Sequence, residues 1–133
     1  MSEQNKALVQ QAYDNFRAGR IDKLLALLSK DISWTLPEIK GVPLGGKKNG
    51  LAAVGDFFVL INDLEESLLF ETRALIAEGD KVVALGNYSW RVRSTKRNYK
   101  SDYAHVWTFS NGKVIDFREY FDTASLRDAF LMQ

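Results

Sequence analysis

The chain has 133 residues, enough for one compact domain and too few for two of ordinary size, and it is read as a single domain over 1–133. Hydrophobic residues make up 46% of it, so a sizeable core is available, and the absence of cysteine excludes disulfides and thiolate metal sites. Eighteen basic residues against seventeen acidic ones leave no global basic footprint for nucleic acid, no segment approaches the ~20 apolar residues of a membrane span, and the N-terminus lacks the basic start and apolar run of a secretion signal. A cytoplasmic protein without nucleic-acid or membrane partners is therefore expected.

Leu8, Val9, Ala12, Tyr13 and Phe16 form one apolar stripe at helical spacing. Ser2 is placed to cap this first helix and Gly19 to end it. A short second helix follows, capped by Asp22, with Leu24, Leu25, Leu27 and Leu28 on its apolar side. Asp31–Leu36 alternates as a strand with Ile32, Trp34 and Leu36 on one face. Residues 37–50 hold both prolines and four glycines, so they read as a loop, of a length that often rims a site. Asn49 is placed to cap a third helix over 50–63, buried through Val54, Phe57, Phe58 and Ile61.

The remainder reads as four strands, 68–77, 82–93, 101–110 and 113–122, and then a C-terminal helix over 123–132. Asn111-Gly112 is a two-residue hairpin signal. The basic run 96–100 falls in a turn and reads as a solvated hairpin tip. Helices early and strands late predict an α+β fold, with helices packed on one face of a curved antiparallel sheet.

The Asn111-Gly112 turn pairs Ser110 with Lys113. Regular pairing from there sets Trp107 opposite Asp116, His105 opposite Arg118, Tyr103 opposite Tyr120 and Ser101 opposite Asp122; a bulge would shift these pairs. One face then carries Tyr103, His105, Trp107, Phe109, Asp116, Arg118, Tyr120 and Asp122, a mixture of aromatics with proton-transfer and anion-binding groups. The other carries Ala104, Val106, Thr108, Ile115, Phe117, Glu119 and Phe121. The first face is expected to line a partly enclosed cavity, and the second to be covered by another subunit.

Residues 104–114 (Ala-His-Val-Trp-Thr-Phe-Ser-Asn-Gly-Lys-Val), followed by Arg118-Glu119-Tyr120-Phe121-Asp122-Thr123, resemble the C-terminal half of SnoaL-like proteins of the nuclear transport factor 2-like superfamily, which includes ketosteroid isomerase. Residues 76–83 resemble that family's central hairpin, and Trp34 before Pro37, with Phe57-Phe58 further on, resembles its first strand and third helix. The resemblance implies a cone-shaped sheet wrapped around the N-terminal helices, a pocket between them, and a homodimer through the outer sheet face. It implies a general base at Asp122, the position matching the acid/base aspartate of polyketide cyclases, and a pocket role for His105. The aspartates and tyrosine of ketosteroid isomerase, and the Asp-Arg-Asp set of limonene epoxide hydrolase, are not reproduced.

Each candidate has a structural reading beside the functional one. Asp122 can cap the last helix, and that role can coexist with a place in the pocket. His105, the only histidine, can be a buried hydrogen-bonded side chain; without a second histidine or a cysteine it is no metal site. Arg118 can pair with Asp116 or Asp122, or hold a substrate carboxylate or enolate. Tyr13, Trp34, Phe57 and Tyr88 are core aromatics or pocket walls, with Tyr103, Trp107, Arg118 and Tyr120 as further substrate contacts. Glu65, Glu66 and Glu71 read as solvated, as do Lys47 and Lys48, although the loop bearing these lysines can cover a pocket mouth. The expected function is an acid/base enzyme needing no cofactor or metal (isomerase, cyclase, or dehydratase/hydrolase), acting on an apolar carbonyl compound. The alternatives are a non-catalytic binder of hydrophobic ligands and a dimeric interaction module.

Overall fold

The computed structural model describes residues 2–131. In chain order it contains α1 (Ser2–Arg17), α2 (Ile21–Leu25), β1 (Leu28–Leu36), β2 (Gly46–Asn49), α3 (Leu51–Leu64), β3 (Glu65–Glu78), β4 (Lys81–Val92), β5 (Asn98–Ser110), β6 (Lys113–Phe121) and α4 (Thr123–Leu131). Met132, the last residue of the predicted C-terminal helix, lies outside the described residues. The strands form one curved sheet in the order β2-β1-β6-β5-β4-β3. All neighbours are antiparallel except β1 and β6, which pair in parallel. This is the expected α+β cone, with the helices filling the concave side.

The core is one aromatic-rich cluster. Val9, Ala12 and Tyr13 of α1 and Val54, Phe57 and Phe58 of α3 pack against inward residues of every long strand, among them Trp34, Tyr88, Trp90, Trp107 and Phe117. Gly19 ends the first helical region at φ +74°, the left-handed conformation that glycine adopts without penalty.

Three local expectations are corrected. Leu28 belongs to β1, paired with Val114, and not to the second helix. Asp22 lies inside α2; the residue before that helix is Arg20, which makes no side-chain cap. The predicted loop contains a strand: residues 46–49 pair with β1, and Asn49 sits opposite Ser33 instead of capping α3. Gly50 precedes α3 at φ +88°.

The stretch between β1 and β2 is held down by Lys48. Its Nζ donates to the carbonyls of Leu44 (2.7 Å), Gly45 (2.8 Å) and Gly46 (3.2 Å) and lies 4.8 Å from the Phe57 ring centroid. The solvated reading of Lys48 is therefore replaced: partial burial lowers its pKa, and the side chain closes the loop onto α3. Lys47 is exposed.

Candidate active site

The site is set by one extra residue in β6. Ser110 pairs with Lys113 and Phe109 with Val114, as the turn requires, but Thr108 pairs with Asp116, leaving Ile115 as a bulge. Beyond it the facing partners are Trp107 with Phe117, His105 with Glu119, and Tyr103 with Phe121. A one-residue slip exchanges the faces of a strand. Phe117, Glu119 and Phe121 thus face inward, whereas Asp116, Arg118 and Tyr120 lie on the outside.

Arg118 and Tyr120 are therefore corrected as substrate contacts. Arg118 is exposed, with its Nε 3.9 Å from Asp116, and Tyr120 retains 53% of its accessible surface. Asp122 is corrected as the pocket base. It is exposed and caps α4: Oδ1 accepts the Ser125 N–H at 3.2 Å and Oδ2 accepts the Ser125 hydroxyl at 2.7 Å. Those bonds favour the ionised form and lower its pKa, the opposite of what a base working near neutrality needs.

The cavity lies between α1, α3 and the concave sheet face. Tyr13, Trp34, Phe57, Tyr88, His105 and Trp107 line it, joined by Glu119, Phe117 and Glu65. Tyr103 faces inward but is committed to the sheet. Its hydroxyl passes over Gly86 to the Glu71 carbonyl (3.0 Å) and Thr72 Oγ1 (2.9 Å), while its ring stacks on His105 with centroids 4.2 Å apart.

Polar atoms in this apolar space form a continuous chain. Trp107 Nε1 donates to Tyr13 Oη at 3.1 Å, Tyr13 Oη lies 2.6 Å from His105 Nδ1, and His105 Nε2 lies 2.9 Å from Glu119 Oε2. Tyr88 donates to the same Glu119 oxygen at 2.8 Å. In the Nε2–H tautomer of His105, Tyr13 donates to Nδ1 and Nε2–H donates to Glu119 Oε2. Burial, reinforced by the neighbouring Glu119 and Tyr103, raises the pKa of the Tyr13 hydroxyl, so it remains a proton carrier and not a phenolate. Both bonds to Glu119 fall on Oε2, leaving Oε1 to accept a proton.

A second carboxyl was missed from sequence. Glu65, read as solvated, is only 3% exposed at the start of β3, and its Oε1 accepts the Tyr99 hydroxyl. Burial, with a further push from Glu119, raises its pKa to about 7. Nothing in the Glu65-Glu66 dipeptide signals this, because the helix-to-strand junction alone turns one of the two inward. Glu119 did carry a signal: Phe117 and Phe121 flank it at two-residue spacing, which marks the buried row of the strand. Among the described residues no group of three or more potential metal ligands is assembled, and no helix is long and apolar enough to cross a membrane.

The fold defines an α+β cone of the nuclear transport factor 2-like class. More narrowly, the SnoaL-like domain profile matches residues 9–117, and the chain belongs to that family. An NTF2-like protein from Burkholderia xenovorans LB400 is 29% identical, covers 98% of each chain and superposes with a TM-score of 0.89. One from Burkholderia pseudomallei K96243 is 28% identical over 98% of this chain and 99% of its own, with a TM-score of 0.90. TerC, co-crystallized with polyporic acid, is 26% identical over 96% of this chain and 98% of its own, with a TM-score of 0.82. No curated protein sequence matches the chain.

Proposed function

We propose that this chain is an acid–base enzyme that enolises an apolar carbonyl compound inside the cone, with Glu119 as the base in place of the expected Asp122. The observation that carries the reading is the buried hydrogen-bond chain from Trp107 through Tyr13 and His105 to Glu119. In the proposed step the C–H bond beside the carbonyl breaks, its proton passes to Glu119 Oε1, and its electron pair moves into the enolate. Rotation of the Tyr13 hydroxyl away from His105 Nδ1 turns its hydrogen toward the enolate oxygen. Proton removal next to a carbonyl needs a base and hydrogen-bond donors, and this chemistry requires no cofactor. Aromatic walls suit an apolar substrate, and the co-crystal of TerC with polyporic acid supports a small-molecule occupant for this architecture.

The test uses a methylated bicyclic decalin enone in deuterated water, with exchange of its α-protons followed by NMR. Wild type should accelerate exchange, Glu119→Gln should slow it by roughly a hundredfold, and Asp122→Asn should leave it unchanged. Exchange by Glu119→Gln as fast as by wild type would overturn the reading.

A further inference from the structure

Glu65 is a buried carboxyl that the proposed enolisation does not use. It lies where two spaces meet: it lines the inner cavity together with His105 and Glu119, and also an outer basin formed by the end of α1, α3 and the start of β3. Phe16, Phe58, Ile61, Phe70 and Trp90 are common to both and form the wall in which Glu65 is the one ionisable group.

Its surroundings are specific. From β5, Tyr99 donates to Oε1, so that oxygen is occupied and Oε2 remains. From β4, Tyr88 is turned to Glu119, and Glu119 itself comes from β6. The nearby cation, Arg93, has its Nε bonded to the Asn62 carbonyl at 3.0 Å. Glu65 therefore has two buried phenolic hydroxyls and a second carboxyl group around it, and no ion pair among the described residues.

We infer that Glu65 is a second substrate-contacting group, a neutral carboxylic acid whose Oε2–H donates to an acceptor oxygen at the end of the substrate remote from Glu119. This rests on the enolisation reading and narrows its substrate class to apolar molecules with two separated oxygens, an enolisable carbonyl near Glu119 and His105 and a further carbonyl or hydroxyl toward the outer basin. Where the second oxygen is a hydroxyl on the carbon β to the enolisable carbonyl, or vinylogous to it, its loss is balanced without a co-reactant. Glu119 takes the carbon-bound proton, the C–O bond breaks with the proton of Glu65 leaving in water, and a C=C bond forms. Solvent then returns a proton to Glu65 and removes one from Glu119. The raised pKa of Glu65, about 7, leaves the carboxyl neutral below that pH.

The probes are the decalin enone and the same skeleton with a second ketone on the far ring, with binding read by tryptophan fluorescence. At about pH 6 the second ketone should tighten binding to wild type about fivefold, the size of one net hydrogen bond. That gain should vanish at about pH 8.5, where an ionised carboxyl cannot donate. It should vanish at both pH values in Glu65→Leu and persist at both in Glu65→Gln, whose amide donates regardless of pH. Carbon-13 NMR of labelled wild-type glutamates, with Glu65→Gln assigning the resonance, gives a readout without ligand; a midpoint in the ordinary carboxylate range overturns the inference. So does a gain that is equal in wild type and Glu65→Leu at both pH values. In that case, α-proton exchange dependent on Glu119 would leave the enolisation reading standing. Absence of binding by both ketones to wild type overturns both.

Discussion

His105 and Glu119 face each other across β5 and β6 at 2.9 Å because Ile115 is bulged out of the ladder between them and the Asn111-Gly112 turn. The turn fixes one end of the register and the bulge resets it. The proposed base, its histidine and the walls around them all depend on that count of residues.

Deletions test the count directly. Removing Ile115 leaves Val114 joined to Asp116, and regular pairing still sets Phe117 opposite Trp107 and Glu119 opposite His105. Removing Arg118 moves Glu119 to the outward position opposite Val106 and turns Tyr120 and Asp122 inward. The Ile115 deletion is therefore expected to retain a native near-ultraviolet circular dichroism spectrum with some loss of stability from the altered sheet curvature. The Arg118 deletion is expected to lose it. A native spectrum for the Arg118 deletion would show that register is not what places Glu119.

Much of this arrangement was legible in the sequence, for identifiable reasons. The α1 stripe, the hairpin turns and the inward row of β5 (Tyr103, His105, Trp107) follow from periodicity and turn chemistry, which are local. The β6 row was assigned to the wrong face because a bulge without glycine or proline leaves no local mark, although Phe117 and Phe121 flank Glu119. Residues 46–49 were hidden because glycine and two lysines do not look like a strand, and their pairing with β1 is a tertiary fact. Asp122 was read in two ways, and the cap is the one observed.

The cap gives its own prediction. The pKa of Asp122 is lowered by its bonds to Ser125, so its stabilisation is present above the ordinary aspartate range and is lost as pH falls through the lower folded value. Asp122→Ala should lower the melting temperature at neutral pH, and the difference from wild type should shrink under strongly acidic conditions. A constant difference across that range, measured by thermal denaturation, would argue against the capping account.

Glu65 predicts the opposite slope. Its folded pKa, about 7, lies above the ordinary carboxylate value of 4.5. Between those values the unfolded chain has released a proton that the folded chain retains, so stability falls as pH rises through this window and is flat above it. The full effect is roughly 3 kcal/mol at most. Urea midpoints measured from about pH 4 to 8 should show the decline in wild type and lose that component in Glu65→Gln. Superimposable pH dependence in the two proteins would count against a buried neutral carboxyl.

Gly86 is predicted to be irreplaceable for a steric reason. A Cβ there would lie 2.0 Å from the Glu71 carbonyl oxygen and 2.5 Å from the Tyr103 hydroxyl, so both the β3 backbone and the aromatic side chain that backs His105 would have to move. Neither is the free end of a flexible chain. Gly86→Ala should cost at least about 1–3 kcal/mol by urea denaturation, and the shift of Tyr103 should disturb the His105 ring resonances in NMR. A stability within experimental error of wild type would mean that β3 is free to slide away from β4 at this point.

The outer sheet face is proposed to hold a second copy of this chain. Ile76 and Tyr120 remain 55% and 53% exposed there, with the exposed Leu85 between them on β4, paired with Ala74 of β3 and Ala104 of β5. Association through this face leaves the concave pocket untouched, so disrupting it should separate assembly from ligand binding. Ile76→Lys combined with Tyr120→Lys places four like charges across a two-fold contact and should convert a dimer to a monomer in sedimentation velocity, while binding of the decalin enone is retained. A wild-type monomer at micromolar concentration would remove the proposal, and a dimer unaffected by the double substitution would move the contact to another surface.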